Sequence, residues 1–141
     1  MIRAVLDTNV LLAGLRSRNG ASFETLSQFR QGRFVLLIAN TVLTEYEEIL
    51  KREGPAFGLM PGQVERFLDA LCAAAEEWKT SSFWKPCLPD PDDEPLAQLA
   101  IEAKVDYLVT HNLRDFPADR LPGLRVISPG DFLHILQPPK P

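Results

Sequence analysis

A short apolar run near the start of the chain, residues 2–6, leads directly into Asp7, Thr8 and Asn9. Such a run is typical of a buried strand in a parallel sheet. Ligands of open α/β sheets bind just beyond the carboxyl ends of the strands, so Asp7 stands where chemistry is usually done. The alternative is structural, because Asp and Asn often cap the helix that follows a strand.

The hydrophobic pattern alternates between strand-like and helix-like segments along the whole chain. Strands are predicted at residues 2–6, 34–38, 107–109 and 125–127. Helices are predicted within residues 11–15, 20–31, 41–52 and 95–104, with two more starting near Pro61 and Ser128. We therefore predict an α/β fold, a three-layer sandwich with a mainly parallel central sheet. Residues 1–137 are expected to form a single domain, followed by a frayed proline-rich tail at residues 138–141.

The composition is that of an ordinary globular protein, with 45% hydrophobic and 24% charged residues among 141. Its two cysteines, Cys72 and Cys87, form neither a metal-binding spacing nor a disulfide framework. No segment is long and apolar enough to cross a bilayer. We expect a cytoplasmic protein with reduced thiols and no membrane partner. The net charge of −4 does not by itself indicate nucleic-acid binding, since domains of that kind are commonly basic.

Glu45 occupies a position that resembles that of Asp7. It lies in the first turns of the helix after the second strand, at the border of the apolar stripe of that helix. Glu47 borders the opposite edge of the stripe, and Glu48 is expected to point away from it. The helical wheel does not choose between Glu45 and Glu47, but Glu45 is nearer the carboxyl edge of the sheet. We therefore favour Glu45.

Asp93 extends the buried face of the next helix, because Leu96, Ala97 and Ala100 follow it at helical spacing. Asp92 and Glu94 are expected to project elsewhere. A helix N-cap is an equally good interpretation of Asp93, and capping is compatible with binding a ligand.

Residues 110–116 leave the carboxyl end of the third strand and carry Thr110, Asn112 and Asp115. Asn112 with Asp115 three residues later also fits a local turn or capping arrangement. His111 in the same segment fits a loop or phosphate contact better than a metal ligand.

Convergence of these acids would have an electrostatic consequence. Two like charges ~4 Å apart at an effective dielectric near 20 repel by about 4 kcal/mol. Either some of the acids are then protonated or a divalent cation lies among them. Oxygen ligands without His or Cys suit Mg²⁺ or Mn²⁺ better than Zn²⁺.

Four motifs in order resemble those of the PIN domain nucleases, in particular the VapC-like toxins of bacterial and archaeal toxin–antitoxin systems. The likeness covers essentially the whole chain. The matching residues are Val5-Leu6-Asp7-Thr8-Asn9-Val10-Leu11, Thr44-Glu45 with Ile49-Leu50-Lys51-Arg52, Asp90-Pro91-Asp92-Asp93-Glu94-Pro95-Leu96-Ala97, and Leu108-Val109-Thr110-His111-Asn112-Leu113-Arg114-Asp115-Phe116.

The resemblance implies a metal-dependent endoribonuclease with a quartet of acids that bind Mg²⁺ or Mn²⁺. Carried onto this sequence, the quartet is Asp7, Glu45, Asp93 and Asp115. Asn9 would orient Asp7, and Thr110 and Asn112 would support the site through hydrogen bonds. Other relatives place an acid at the position of Asn112, so either Asn112 or Asp115 completes the acidic site.

The same resemblance implies an RNA substrate and a cognate antitoxin protein as partners. Relatives are often dimers, and a homodimer through the apolar residues of 61–78 is a further expectation, although those residues are by default core. Arg16 and Arg114 are candidates for phosphate contacts.

Two alternatives belong to other classes of function. A non-catalytic PIN-like module that binds a partner protein would account for the acidic composition. A phosphatase with Asp7 as the nucleophile is the other; such enzymes usually have a second Asp two residues later, where this chain has Asn9.

Overall fold

The structure, a computed structural model, describes residues 1–137, in which five parallel strands form one sheet. The strands are β1 (Arg3–Leu6), β2 (Val35–Ile38), β3 (Glu76–Glu77), β4 (Tyr107–Val109) and β5 (Arg125–Ile127). Their order across the sheet is β3-β2-β1-β4-β5. The chain therefore extends the sheet from β1 in one direction and then returns to extend it in the other, so that the switch point lies between β1 and β4.

Six α-helices accompany this sheet within residues 1–137: α1 (Thr8–Arg16), α2 (Ala21–Arg30), α3 (Asn40–Glu53), α4 (Pro61–Ala74), α5 (Glu94–Glu102) and α6 (Pro129–Leu136). Helix α5 packs on β1, β2 and β4, while α2 packs against α1 and α6. The strands contribute wholly buried side chains such as Leu6, Leu36 and Leu108 to the core. The predicted three-layer α/β fold with a parallel sheet is confirmed.

The register between β1 and β4 sets the geometry of the switch point. Leu6 pairs with Val109, and the amide of Asp7 donates to the carbonyl of Val109 over 2.9 Å. The residues that follow the two strands, Asp7 and Thr110, are therefore neighbours. Both are buried.

One strand was not predicted. Glu76 and Glu77 pair with Leu37 and Ile38 as an edge strand of two residues, and both glutamates are exposed. A strand this short with two charged side chains has no apolar pattern to reveal it, and charges on an edge strand are common.

Helix α4 buries Val64, Leu68 and Leu71 in the core. The interpretation of this segment as core therefore holds for the buried face of α4. The homodimer stays a prediction. The single domain over residues 1–137 stays a prediction too, and the tail at residues 138–141 lies outside the described residues. Within residues 1–137, no helix is both long and apolar enough to cross a membrane.

Candidate active site

A cavity of about 480 Å³ lies at the carboxyl edge of the sheet, beside the switch point. We call it the acidic cavity because its lining includes Asp7, Glu45, Asp93 and Asp115. These four side chains come from the end of β1, from α3, from the start of α5 and from a 3₁₀ turn after β4 (Leu113–Asp115). The fold thus brings together all four acids of the predicted quartet.

Asp7 lies at the base of the acidic cavity and is 8% exposed. It occupies the N-cap position of α1, but its side chain makes no capping hydrogen bond within the described chain. Its Oδ2 accepts instead from the hydroxyl of Thr110 over 2.7 Å. Burial raises the pKa of Asp7, while the Thr110 hydroxyl and the nearby amides of Asn9 and Thr8 lower it.

Thr110 links three of the predicted site residues. Its hydroxyl oxygen accepts hydrogen bonds from the backbone amide of Asn112 over 3.0 Å and from Nδ2 of Asn9 over 3.4 Å. The same hydroxyl group donates its own hydrogen bond to Asp7. Asn9 therefore acts on Asp7 through Thr110. Asn112 supports the same hydroxyl through its backbone amide and is one of the lining residues of the cavity.

Glu45 and Asp93 are half-buried, and each has one carboxylate oxygen that is buried without a hydrogen-bond partner in residues 1–137. Burial, followed by the charges of Asp7 and Asp93, raises the pKa of Glu45 to about 7. Burial, followed by the charges of Asp7 and Asp115, raises the pKa of Asp93 to about 7. Asp93 stands at the N-cap of α5, yet its side chain forms no capping bond in the described part of the chain.

Tyr46 is a supporting residue that sequence reasoning missed. It is wholly buried, and its hydroxyl donates to the carbonyl of Leu6, the residue before Asp7. The residue after Glu45 thereby ties α3 to the end of β1, which fixes two acids relative to each other. In the sequence, Tyr46 is indistinguishable from an ordinary core residue of the helix.

One continuous face of α3 lines the acidic cavity: Thr41, Thr44, Glu45, Glu48, Ile49 and Arg52. Glu48 is exposed, as expected for a side chain that points away from the apolar stripe, but it also lines the cavity. The helical wheel locates the side facing the core, whereas this cavity lies along the flank of that side. Glu47 lies elsewhere, in an ion pair of 3.4 Å with Lys51.

Asp92 is exposed, as expected, but Glu94 is not. Asp92 lines the cavity, and Glu94 is buried at 8% exposure. The Glu94 carboxylate accepts from Trp84 Nε1 over 2.8 Å and from the amides of Cys87 and Leu88 over 2.8 and 2.6 Å. Burial opposes ionisation, but these hydrogen bonds hold the pKa of Glu94 below its usual value. Glu94 therefore fixes residues 84–88 to the start of α5, beside Asp93.

His111 is exposed and is not among the lining residues of the cavity; its Nε2 is 2.6 Å from the hydroxyl of Ser22 on α2. Its amide donates to Oδ1 of Asn9 over 3.4 Å. Arg16, one of the candidates for a phosphate contact, places its guanidinium 5.8 Å from the ring centre of Phe57.

The donor set of the cavity suits a hard divalent cation in type, because all of its ionisable ligand candidates are carboxylates. The buried, unpartnered oxygens of Glu45 and Asp93 are groups that a cation would satisfy. As the side chains stand, however, no group of three or more His, Cys, Asp or Glu in residues 1–137 is close enough to hold a metal ion. The acids thus share a cavity, and charges within it contribute to the raised pKa of Glu45 and Asp93, without forming a closed coordination shell.

An all-parallel sheet with carboxylates gathered at its switch point defines an α/β protein with an acidic site. The family model described as PIN domain matches residues 3–114, and the chain belongs to the PIN domain family. Asp7, Glu45 and Asp93 lie inside the matched segment, and Asp115 lies one residue beyond it. No curated protein matches the chain.

Solved structures with a similar fold include three toxin–antitoxin complexes. VapBC2 from Rickettsia felis bound to a promoter DNA fragment has 17% identity and a TM-score of 0.61, over 90% of this chain and 98% of that one. DNA-bound VapBC from Salmonella typhimurium has 19% identity and a TM-score of 0.62, over 92% and 99%. VapBC-1 from nontypeable Haemophilus influenzae has 18% identity and a TM-score of 0.61, over 92% and 99%.

Proposed function

We propose that this protein is a metal-dependent endoribonuclease that hydrolyses RNA phosphodiester bonds. The observation that carries the proposal is the acidic cavity, in which Asp7, Glu45, Asp93 and Asp115 come together at the switch point of the sheet. Membership of the PIN domain family supports it, because nucleases are common in that family.

In this proposal Asp7, Glu45, Asp93 and Asp115 hold Mg²⁺ or Mn²⁺. When bound, such a cation supplies a Lewis acid that polarises a phosphate and makes water nucleophilic at neutral pH. Thr110 keeps Asp7 oriented through its hydrogen bond, and Glu45 and Asp93 each supply a buried oxygen that has no hydrogen-bond partner within residues 1–137. These carboxylates position the reactants and form no covalent bond to the substrate.

We further propose that the protein is the toxin of a toxin–antitoxin pair, with a cognate antitoxin protein as partner. The support is the likeness of fold to three VapBC complexes over at least 90% of this chain. Co-expression with the product of a neighbouring gene, followed by co-purification and an RNA cleavage assay, tests whether that product binds the protein and inhibits it.

The activity is tested with purified protein on labelled RNA in Mn²⁺ or Mg²⁺, with and without chelator. We expect cleavage that chelator stops and that is abolished in Asp7→Asn and in Asp93→Asn, both of which keep the shape of the side chain. Asp119→Asn, at an exposed position outside the cavity lining, is the matched control and should cleave like the wild type.

Each failure of this assay has its own meaning. Unchanged turnover in either active-site variant would remove the site assignment. Absence of cleavage across varied RNAs would favour the non-catalytic binding module. A phosphorylated Asp7 trapped during hydrolysis of a phosphate monoester would favour the phosphatase.

A further inference from the structure

Among the described residues 1–137, the lining of the acidic cavity includes one basic side chain, that of Arg52 on α3. It follows Glu45 by seven residues, which is about two helical turns, so that both side chains leave the same face of the helix. The rise of the helix separates their positions by about 10 Å. Carboxylates therefore lie at one end of this face and a guanidinium at the other.

We propose that Arg52 binds a backbone phosphate of an RNA single strand, within about three nucleotides of the bond that is cut. One strand of B-form DNA advances ~3.4 Å per nucleotide, and an extended single strand advances further, so the separation of about 10 Å along α3 spans at most about three nucleotides. The inference rests on the proposed nuclease function and specifies the substrate of the same site.

The guanidinium of Arg52 is available for this role. Its side chain is 63% exposed, and its ion pair, from Nε to the carboxylate of the adjacent Glu53, is 3.2 Å long and also exposed. Exposed pairs of this kind contribute little to stability, so a phosphate can replace Glu53 at small cost. Arginine is also suited to hold a phosphate through two parallel hydrogen bonds.

The neighbouring Lys51 shows that position, and not charge alone, distinguishes Arg52. The ammonium of Lys51 contacts Glu65 on α4 over 3.0 Å and Glu47 over 3.4 Å. It is therefore engaged on another side of α3, although it carries the same charge one residue away. Lys51 supplies a matched control.

The shape of the cavity favours a single strand over a duplex. Asp7 is 8% exposed at the base of a space of about 480 Å³ that α3 flanks along its length. A duplex holds its phosphates on a wide, stiff helix, whereas a single strand can extend one phosphate inwards and lay the next ones along α3.

The test compares the wild type with Arg52→Ala, Arg52→Lys and Lys51→Ala on a labelled single-stranded RNA in Mn²⁺. We expect Arg52→Ala to raise KM about 10-fold and to leave kcat unchanged, because a charge-assisted contact remote from the cut is lost. The slope of log KM against log salt should fall by about 0.7, the value of one phosphate contact. Arg52→Lys should recover part of the loss, Lys51→Ala should match the wild type, and a dinucleotide substrate should not respond to any of these changes.

An unchanged KM and salt slope in Arg52→Ala would overturn the inference, as would an equal loss in Lys51→Ala. Duplex RNA cleaved with the same KM would overturn the choice of a single strand. If the wild type cleaves no RNA at all, the nuclease proposal fails, and fluorescence anisotropy with the same labelled strand then decides on Arg52. Weaker RNA binding by Arg52→Ala than by the wild type would support the phosphate site at Arg52. Equal binding by the two proteins, or no binding by the wild type, would overturn it.

Discussion

The hydroxyl of Thr110 donates a hydrogen bond of 2.7 Å to Oδ2 of Asp7, although 103 positions separate the two residues in the chain. The contact follows from the parallel pairing of β1 with β4, which places the residues after the two strands side by side. The threonine hydroxyl also receives hydrogen bonds from Asn9 and Asn112. Four residues that follow the two neighbouring strands are thus joined at one oxygen atom, and the orientation of Asp7 depends on it.

Thr110→Val tests this contact with little change in volume. The hydrogen bond lowers the pKa of Asp7, so its loss should raise that pKa further and move the acidic limb of the pH–rate profile to higher pH. The free energy of unfolding should fall by about 1–3 kcal/mol, because the variant loses the hydrogen bonds to Asp7, Asn9 and Asn112 together. Thr110→Ser keeps the hydroxyl and should retain the wild-type profile. An identical profile in Thr110→Val and wild type would contradict the role of this bond.

The raised pKa of Glu45 and of Asp93 predicts how the stability of the metal-free protein depends on pH. In the folded state each pKa is about 7, against ordinary values of 4.5 and 3.8. Between these limits the folded protein binds more protons than the unfolded one, so the free energy of unfolding falls as pH rises towards 7. The contribution of these two groups to the free energy of unfolding is fully present below the pKa that they have in the unfolded chain. It is lost as the pH rises through the pKa of about 7 that they have in the folded protein.

Thermal melts in chelator across this pH window check the prediction. Because other acids also titrate, the informative quantity is the difference between the wild type and Glu45→Gln. The variant carries no titrating carboxyl at that position, so its melting temperature should decline less as the pH rises. Parallel curves for the two proteins would show that Glu45 has an ordinary pKa.

Asp7→Asn is expected to stabilise the metal-free protein. The charge of Asp7 contributes to the raised pKa of both Glu45 and Asp93, so its removal relieves repulsion at two positions. A gain of about 1 kcal/mol would raise the melting temperature by roughly 2–4 °C in a chain of this size. Calorimetry in chelator at neutral pH measures it, and Asp119→Asn serves as the control. A lowered melting temperature would argue against crowded carboxylates.

Much of this fold is predictable because its inner strands are continuous apolar runs bounded by polar residues. The strands predicted at residues 107–109 and 125–127 agree with β4 and β5, and α3 begins one residue before its predicted start. The edge strand β3 was missed because it forms through pairing with Leu37 and Ile38 of β2, and its own two side chains carry no apolar pattern.

The site was predictable to a smaller extent. Proximity of Asp7 and Glu45 to the carboxyl edge can be inferred, because Asp7 follows β1 and Glu45 lies in the first turns of the helix after β2. Asp93 follows no strand and is indicated by the buried face of its helix and by the family motif. Glu94 could not be identified, since its partners at residues 84–88 come from an irregular segment with no periodic signal. Arg52 was likewise hidden, because the helical wheel identifies a core side and not the flank on which a cavity lies.

Glu94 provides a test of that irregular segment. Glu94→Ala leaves the amides of Cys87 and Leu88 and the indole of Trp84 without their acceptor, and the expected loss is on the order of 3 kcal/mol. Residues 80–91 should become cleavable by protease before the rest of the protein. Glu94→Gln keeps an acceptor oxygen and should lose less. Wild-type stability and protease resistance in Glu94→Ala would show that these hydrogen bonds are dispensable.

Binding of Mn²⁺ to the purified protein, followed through the loss of the free-ion signal in electron paramagnetic resonance, tests the central claim most directly. The wild type should bind Mn²⁺ more tightly at pH 8 than at pH 6, since the cation must displace protons from Glu45 and Asp93, and Asp93→Asn should bind far more weakly. No binding by the wild type, or equal binding by Asp93→Asn, would contradict the account.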